Sequence, residues 1–152
     1  MVDGIYINSS RLVLDGSGDV ADVHLLMGNM RDEGAALITY PNTTNVTQAI
    51  KDAGAGFNAS YYDAQLFPVP SGSNATLDVF NATTHFATDA AVRCVDQAFA
   101  YAGSTHGVFK SVWYYEYERS YQDANFEANR PVCDAPVDAQ HPYGDTSKPY
   151  FR

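Results

Sequence analysis

Residues 20–30 read Val-Ala-Asp-Val-His-Leu-Leu-Met-Gly-Asn-Met, and Arg31-Asp32-Glu33-Gly34 follows them directly. The short apolar run that ends at Gly28 predicts a strand buried on both faces, as in a parallel sheet. Ligand-binding and catalytic groups of α/β proteins collect at the carboxyl ends of such strands. The acidic pair Asp32-Glu33 is therefore a candidate functional site, and the alternative is a solvated turn in which Asp32 caps a following helix.

A short helix and a long stretch of loops follow the acidic pair. Residues 46–53 predict a helix, because Asn45 and Gln48 have capping-box spacing before it and Gly54 suits its end. Residues 55–83 contain Gly56, Pro68, Pro70, Gly72 and three sequons, and they predict surface loops with short helical turns.

The longest predicted helix covers residues 85–102, where apolar residues recur at three-to-four spacing. Thr84 or Thr88 can cap this helix, and Gly103 can end it. Residues 108–119 are rich in aromatic side chains and predict a second strand. Strand, helix and strand in this order predict an α/β fold, in which a mostly parallel sheet is accompanied by long surface loops. Two strands make a poor sheet, so the predicted fold requires more strands than these 152 residues provide.

The composition of the chain excludes several classes of function. With 152 residues and 45% hydrophobic content, the chain is long and apolar enough for one folded domain. Its net charge is −9 and it has no cluster of Lys and Arg, so nucleic acid is not expected as a partner. No apolar run reaches the roughly 20 residues that a membrane span requires.

Six of the nine asparagines head an Asn-x-Ser/Thr sequon, whereas chance predicts about one. The excess predicts a secreted glycoprotein, and an Asn- and Thr-rich loop composition is the alternative. Residues 1–6 lack the features of a signal peptide, so we expect the signal upstream of Met1, or an incomplete reading frame. The candidate glycosylation sites are Asn8, Asn42, Asn45, Asn58, Asn74 and Asn81.

The two cysteines, Cys94 and Cys133, are candidates for a disulfide in an oxidising compartment. Each can pair with the other or with a partner outside the chain, and a bond between them would stabilise the fold by about 4 kcal/mol. His24, His85 and His106 have neither the spacing nor the cysteine companions of a metal site. His24 is expected to be a hydrogen-bonded core residue.

Several segments together resemble the type B carboxylesterase/cholinesterase family. They are Val2-Asp3-Gly4, the strand that ends at Gly28, Asp32-Glu33-Gly34, and the later helix and strand in the same order. The resemblance implies that residues 1–152 are part of an α/β-hydrolase domain and that Glu33 is the acid of a Ser-His-Glu triad. It also implies a small-molecule or lipid ester as substrate and no cofactor.

Three parts of the esterase motif set do not match this sequence. Gly16-Ser17-Gly18 lacks the spacing of the nucleophile elbow Gly-x-Ser-x-Gly, and no His-Gly-Gly oxyanion segment is present. His141 has the wrong context for the catalytic histidine and is expected in an exposed loop. We therefore expect the chain to be inactive alone. The alternatives are a non-catalytic esterase-like glycoprotein used for binding or adhesion, and an independent small glycoprotein domain.

Overall fold

The computed structural model gives two compact units for the described part of the chain. The described residues are 13–18, 20–118 and 137–142. The first unit comprises residues up to Gly28 and Val95–Tyr115, and the second comprises Asn29–Cys94 and the residues from Glu116 onward.

The described secondary structure consists of two strands, three α-helices and three short helical turns. In chain order these are strand β1 (His24–Met30), a 3-10 turn (Glu33–Ala36), helix α1 (Val46–Asp52), a 3-10 turn (Ala59–Tyr61), helix α2 (Ala75–Thr88), a π-helical turn (Asp89–Arg93), helix α3 (Cys94–Thr105) and strand β2 (Ser111–Tyr117).

The two strands pair in parallel. Near their first residues the Lys110 N–H donates to the Val23 carbonyl at 3.0 Å, and beyond their last residues the Arg31 N–H donates to the Tyr117 carbonyl at 3.1 Å. Residue numbers therefore rise together along both strands, which is the parallel register. Helices α2 and α3 lie between the strands in the chain, so the predicted strand–helix–strand order and the α/β class are confirmed.

Helix α1 begins at the predicted residue, Val46, and ends at Asp52, one residue before the predicted end. The Asn45 Oδ1 accepts a hydrogen bond from the Gln48 N–H at 2.9 Å and so caps the helix. The Gln48 side chain donates to Asp52 instead of returning to Asn45, so half of the capping box forms. Gly54 follows the helix at a φ of 77°, a conformation that glycine adopts without the steric cost of a Cβ.

The predicted start of the long helix is wrong. Helix α2 begins at Ala75 instead of residue 85, and Asn74 caps it by accepting from the N–H groups of Thr76 and Leu77. The predicted caps Thr84 and Thr88 are fully buried inside the helix. Sequons and threonines give this stretch the composition of a loop, but the burial of its apolar side chains outweighs their weak helix propensity.

The core of the second unit forms where α1 and the first 3-10 turn pack against α2. Phe80 is completely buried beside Ile38 and Ala87 in one cluster, and Ile50 packs in a neighbouring one. Phe86 contacts three aromatic rings with centroid separations of 5.5–6.3 Å, and their planes are steeply inclined to its own. These rings belong to Phe57, Tyr62 and Phe67. Much of the predicted loop region therefore contributes to a packed core.

Gly103 does not end the long helix, which continues to Thr105. It is buried within α3, and a Cβ at this position would lie 2.7 Å from the ring of Phe109. Gly103 is therefore required because it allows the close approach of Phe109, and not because it ends the helix. The ring of Phe109 also lies beside that of Phe99.

One face of the sheet is open in the first unit, so the predicted burial of β1 on both faces is wrong. Leu26 is 70% exposed, and on the same face Trp113 and Tyr115 are 55% and 52% exposed. His24 also lies on this face, with its ring beside that of Trp113 and its Nδ1 2.6 Å from the Ser111 Oγ. His24 is therefore hydrogen-bonded as predicted, but it is exposed and not a core residue.

Candidate active site

Glu33 occupies the turn that immediately follows strand β1. Its Oε1 accepts a hydrogen bond from the Met30 N–H at 2.8 Å, so the side chain folds back over the last residue of the strand. The residue is half-buried. Because an ionised carboxylate offers about four acceptor sites, this single bond leaves it able to accept from a further donor.

Gly34 fixes the path of the backbone after Glu33. Its N–H donates to the Thr88 Oγ1 at 2.9 Å, and that hydroxyl donates in turn to the Thr84 carbonyl at 2.8 Å. A Cβ on Gly34 would lie 2.6 Å from the Thr88 backbone nitrogen and closer still to the Thr84 carbonyl oxygen. The turn therefore rests directly on the backbone of α2, and only glycine fits there.

The side chain of Asp32 is only 6% exposed and contacts residues other than the partner of Glu33. Its Oδ2 accepts from Arg31 Nε at 2.7 Å, and its Oδ1 lies 3.4 Å from His85 Nε2, an ion-pair distance whose geometry is poor for a hydrogen bond. Burial alone would raise the pKa of Asp32, but His85 and Arg31 lower that pKa below its ordinary value. The carboxylate therefore stays ionised and belongs to the packing of the turn.

Arg93 ends the π-helical turn and holds both strand ends. Its Nη2 donates to the Arg31 carbonyl at 3.1 Å and to the Glu116 Oε1 at 2.6 Å. Its Nη1 donates to the Asp89 carboxylate, one helical turn earlier. One guanidinium thus joins the residue after β1 to a residue near the end of β2.

The electrostatics of Arg93 favour its charged form. Burial alone would lower its pKa, but the hydrogen bond to Glu116 and the charges of Asp89 and Glu116 raise that pKa above its ordinary value. Its Nε is buried and donates to no described residue. The network is therefore two carboxylates around one permanently charged guanidinium.

Asp32 and Glu33 have different partners: Glu33 accepts from the Met30 N–H, whereas Asp32 lies against Arg31 and His85. The alternative of a solvated turn is wrong, because the Asp32 side chain is almost inaccessible to solvent and makes no cap to the following 3-10 turn. The histidine in contact with this turn is His85, and it meets Asp32 instead of Glu33. His141 is exposed, as predicted, with its Nδ1 3.0 Å from an oxygen of Asp138.

Sequence reasoning did not identify His85 and Arg93 as residues of this site. The spacing of Asp89 and Arg93 is that of a helical ion pair, and it was the one available signal. The contacts of His85 with Asp32 and of Arg93 with Arg31 join residues that are far apart in the chain. No local pattern encodes such contacts.

Three of the predicted glycosylation sites are also helix caps. The side-chain oxygens of Asn45, Asn58 and Asn74 accept from the first N–H groups of the elements that follow them. Asn42 is exposed, whereas Asn81 lies within α2 with its side-chain oxygen buried and without a partner among the described residues. Asn8 lies outside the described residues.

The predicted disulfide stays a prediction. Cys94 is exposed at the start of α3, and Cys133 lies outside the described residues. Within the described ranges no three His, Cys, Asp or Glu side chains come together as metal ligands would. None of the helices in those ranges combines the length and hydrophobicity that crossing a bilayer requires.

Comparisons with known proteins give no family for this chain, since no protein-family model, curated protein or solved structure matches it.

Proposed function

We propose that the chain is the acid-bearing segment of a secreted serine carboxylesterase with an α/β-hydrolase fold. The observation that carries the proposal is the position of Glu33, whose carboxylate is tied back to the last residue of a parallel strand. Functional groups of α/β sheets gather at this end of the strands. The sequence Asp32-Glu33-Gly34 that resembles the family's acid motif occupies this turn.

In the proposed reaction Glu33 accepts the Nδ1–H of a histidine and holds that imidazole in the required tautomer. The histidine takes the proton of a serine hydroxyl as the serine oxygen attacks the ester carbonyl, and it passes the proton to the departing alcohol. Water then attacks the acyl-serine by the same route and releases the carboxylic acid. Serine and histidine come from polypeptide outside these 152 residues.

The two acidic residues have separate roles in this proposal. The ionised Asp32 pairs with Arg31 and lies beside His85, so it stabilises the turn and takes no part in proton transfer. Glu33 has a single described hydrogen bond and keeps acceptor sites for an incoming imidazole.

Ester hydrolysis by the chain, and by the polypeptide extended by its flanking coding sequence, tests this proposal. We expect no turnover of p-nitrophenyl butyrate by the 152 residues alone. In the extended polypeptide Glu33→Gln should lower kcat by roughly 10⁴-fold, the scale known for a triad acid replaced by its amide.

Glu118→Gln is the matched control, because it makes the same chemical change at an exposed carboxylate beyond β2. It should leave kcat unchanged. Activity that survives Glu33→Gln contradicts the proposal, and so does turnover by the 152 residues alone. An extended polypeptide without activity and without a Gly-x-Ser-x-Gly segment would indicate a binding or adhesion glycoprotein instead.

A further inference from the structure

Resting on the proposed function, we propose that Arg93 is a positioning residue for Glu33. It acts through the backbone, because its Nη2 holds the carbonyl of Arg31, two residues before the acid. Neither the guanidinium nor its partners contact the Glu33 carboxylate among the described hydrogen bonds.

The backbone is anchored on both sides of Glu33. Before it, the Arg31 carbonyl accepts from Arg93, and after it, the Gly34 N–H donates to the Thr88 hydroxyl. Only Asp32 and Glu33 lie between these two anchors. A shift of the Glu33 backbone therefore breaks at least one bond to the helix.

The π-helical turn sets the register of the two anchors. Thr88 and Arg93 are five residues apart, and in a regular α-helix that spacing would place them about 140° apart around the axis. The π turn closes its hydrogen bonds five residues apart, as in the bond from the Cys94 N–H to the Asp89 carbonyl. Residues five apart therefore lie on nearly the same side of the helix. Thr88 and Arg93 can then both contact the turn that contains Glu33.

Arg93 is itself held firmly. Asp89 accepts from Nη1 of the planar guanidinium and Glu116 accepts from Nη2, and the Arg93 side chain is mostly buried. Lysine carries the same charge but lacks the rigid fork that serves these acceptors together. Arg93→Lys should therefore restore part of the function that Arg93→Gln removes.

Amide hydrogen exchange in the 152-residue chain gives the first test. The reporter is the Met30 N–H, which donates to Glu33 Oε1. Arg93→Gln should accelerate its exchange about tenfold or more, with a smaller change for Arg93→Lys. Lys110→Gln removes an ion pair to Asp22 at the other end of β2 and should have no effect.

The Ile50 amide in α1 distinguishes repositioning from general loosening, because it lies in the same unit far along the chain from Arg93. Equal acceleration at Met30 and Ile50 overturns the proposal, as does unchanged exchange at Met30. If Arg93→Gln does not fold, Glu116→Gln loosens the same network and must accelerate Met30 selectively.

Kinetics of the extended polypeptide give the second test. Arg93→Gln should lower kcat by roughly 10–100-fold with little change in KM, because a misplaced acid impairs the reaction more than substrate binding. Arg93→Lys should recover part of the loss. If Glu33→Gln abolishes activity while Arg93→Gln leaves kcat unchanged, the positioning role is wrong. If Glu33→Gln has no effect, the proposed function fails, and the Met30 exchange alone decides whether Arg93 positions the turn.

Discussion

At Gly34 the backbone of the acid turn lies so close to α2 that a methyl group would overlap the helix backbone. The helix cannot give way without moving its packed core, so Gly34→Ala should destabilise the chain by about 3 kcal/mol. Gly56→Ala is the control, because a Cβ at Gly56 would meet open space and the positive φ is the one source of strain. We expect about 1 kcal/mol there. Urea unfolding measures both, and equal losses would contradict the contact at Gly34.

The lowered pKa of Asp32 predicts a pH-dependent contribution to stability. A carboxyl group with a lowered pKa in the folded state stabilises the fold above its ordinary pKa of 3.8, and this stabilisation is lost as the pH falls through the folded value. Asp32→Asn should therefore cost about 1.5–3 kcal/mol at pH 7, the range for hydrogen bonds to charged groups. Below pH 3.8 the difference should shrink progressively.

Urea midpoints for Asp32→Asn at pH 7 and in acid check this dependence. Asp22→Asn is the matched control, because Asp22 pairs with Lys110 at an exposed position. It should change stability by less than about 1 kcal/mol at either pH. A loss for Asp32→Asn that stays constant with pH would show that its charge is not the cause.

Helix α2 depends on its cap at Asn74, whose side-chain oxygen satisfies two of the first N–H groups. Asn74→Ala should cost about 1 kcal/mol through the lost cap, in glycosylated and unglycosylated protein alike. Thr76→Ala destroys the same sequon but keeps the cap, so it separates the two roles of this asparagine. Thermal unfolding of both variants decides the matter, and an equal loss in both would rule out capping as the cause.

The elements with strong local signals were predictable from the sequence. Helix α1 has a capping asparagine and a terminal glycine, and β2 has an aromatic-rich run, so both were found near their true positions. The predicted long helix starts ten residues after the observed start of α2, because residues such as Thr83 and Thr84 are typical of loops when judged locally. Its stability comes from side chains such as Phe80 that pack against distant residues, and no local pattern reports that packing.

The candidate site was predictable in part for the same reason. Asp32 and Glu33 are adjacent to a strand end, and a local pattern places them there. His85 and Arg93 join the site through contacts across the helix, and the π turn that aligns Arg93 has no marker in the sequence. The identity of the acid stays a prediction, whereas the divergence of the two carboxylates is observed.

At the scale of the whole molecule, the open sheet face bears on the proposed hydrolase fold. Parallel sheets are normally covered on both faces, yet Trp113 is more than half exposed on this one. Trp113 is the single tryptophan, so its fluorescence reports this face alone. Acrylamide should quench it efficiently in the 152-residue chain and several-fold less in the extended polypeptide. Equal quenching in both would contradict a larger sheet.

The sequon asparagines that cap helices link sugar chemistry to folding. A glycan at Asn45 or Asn74 would attach to the side-chain nitrogen and leave the capping oxygen in place. An amidase that releases the glycan converts the asparagine to aspartate and so adds a negative charge at a helix start. Such a charge stabilises a helix by about 0.3–1 kcal/mol through the macrodipole. Enzymatic deglycosylation at these sites would therefore stabilise the N-terminal turns of α1 and α2.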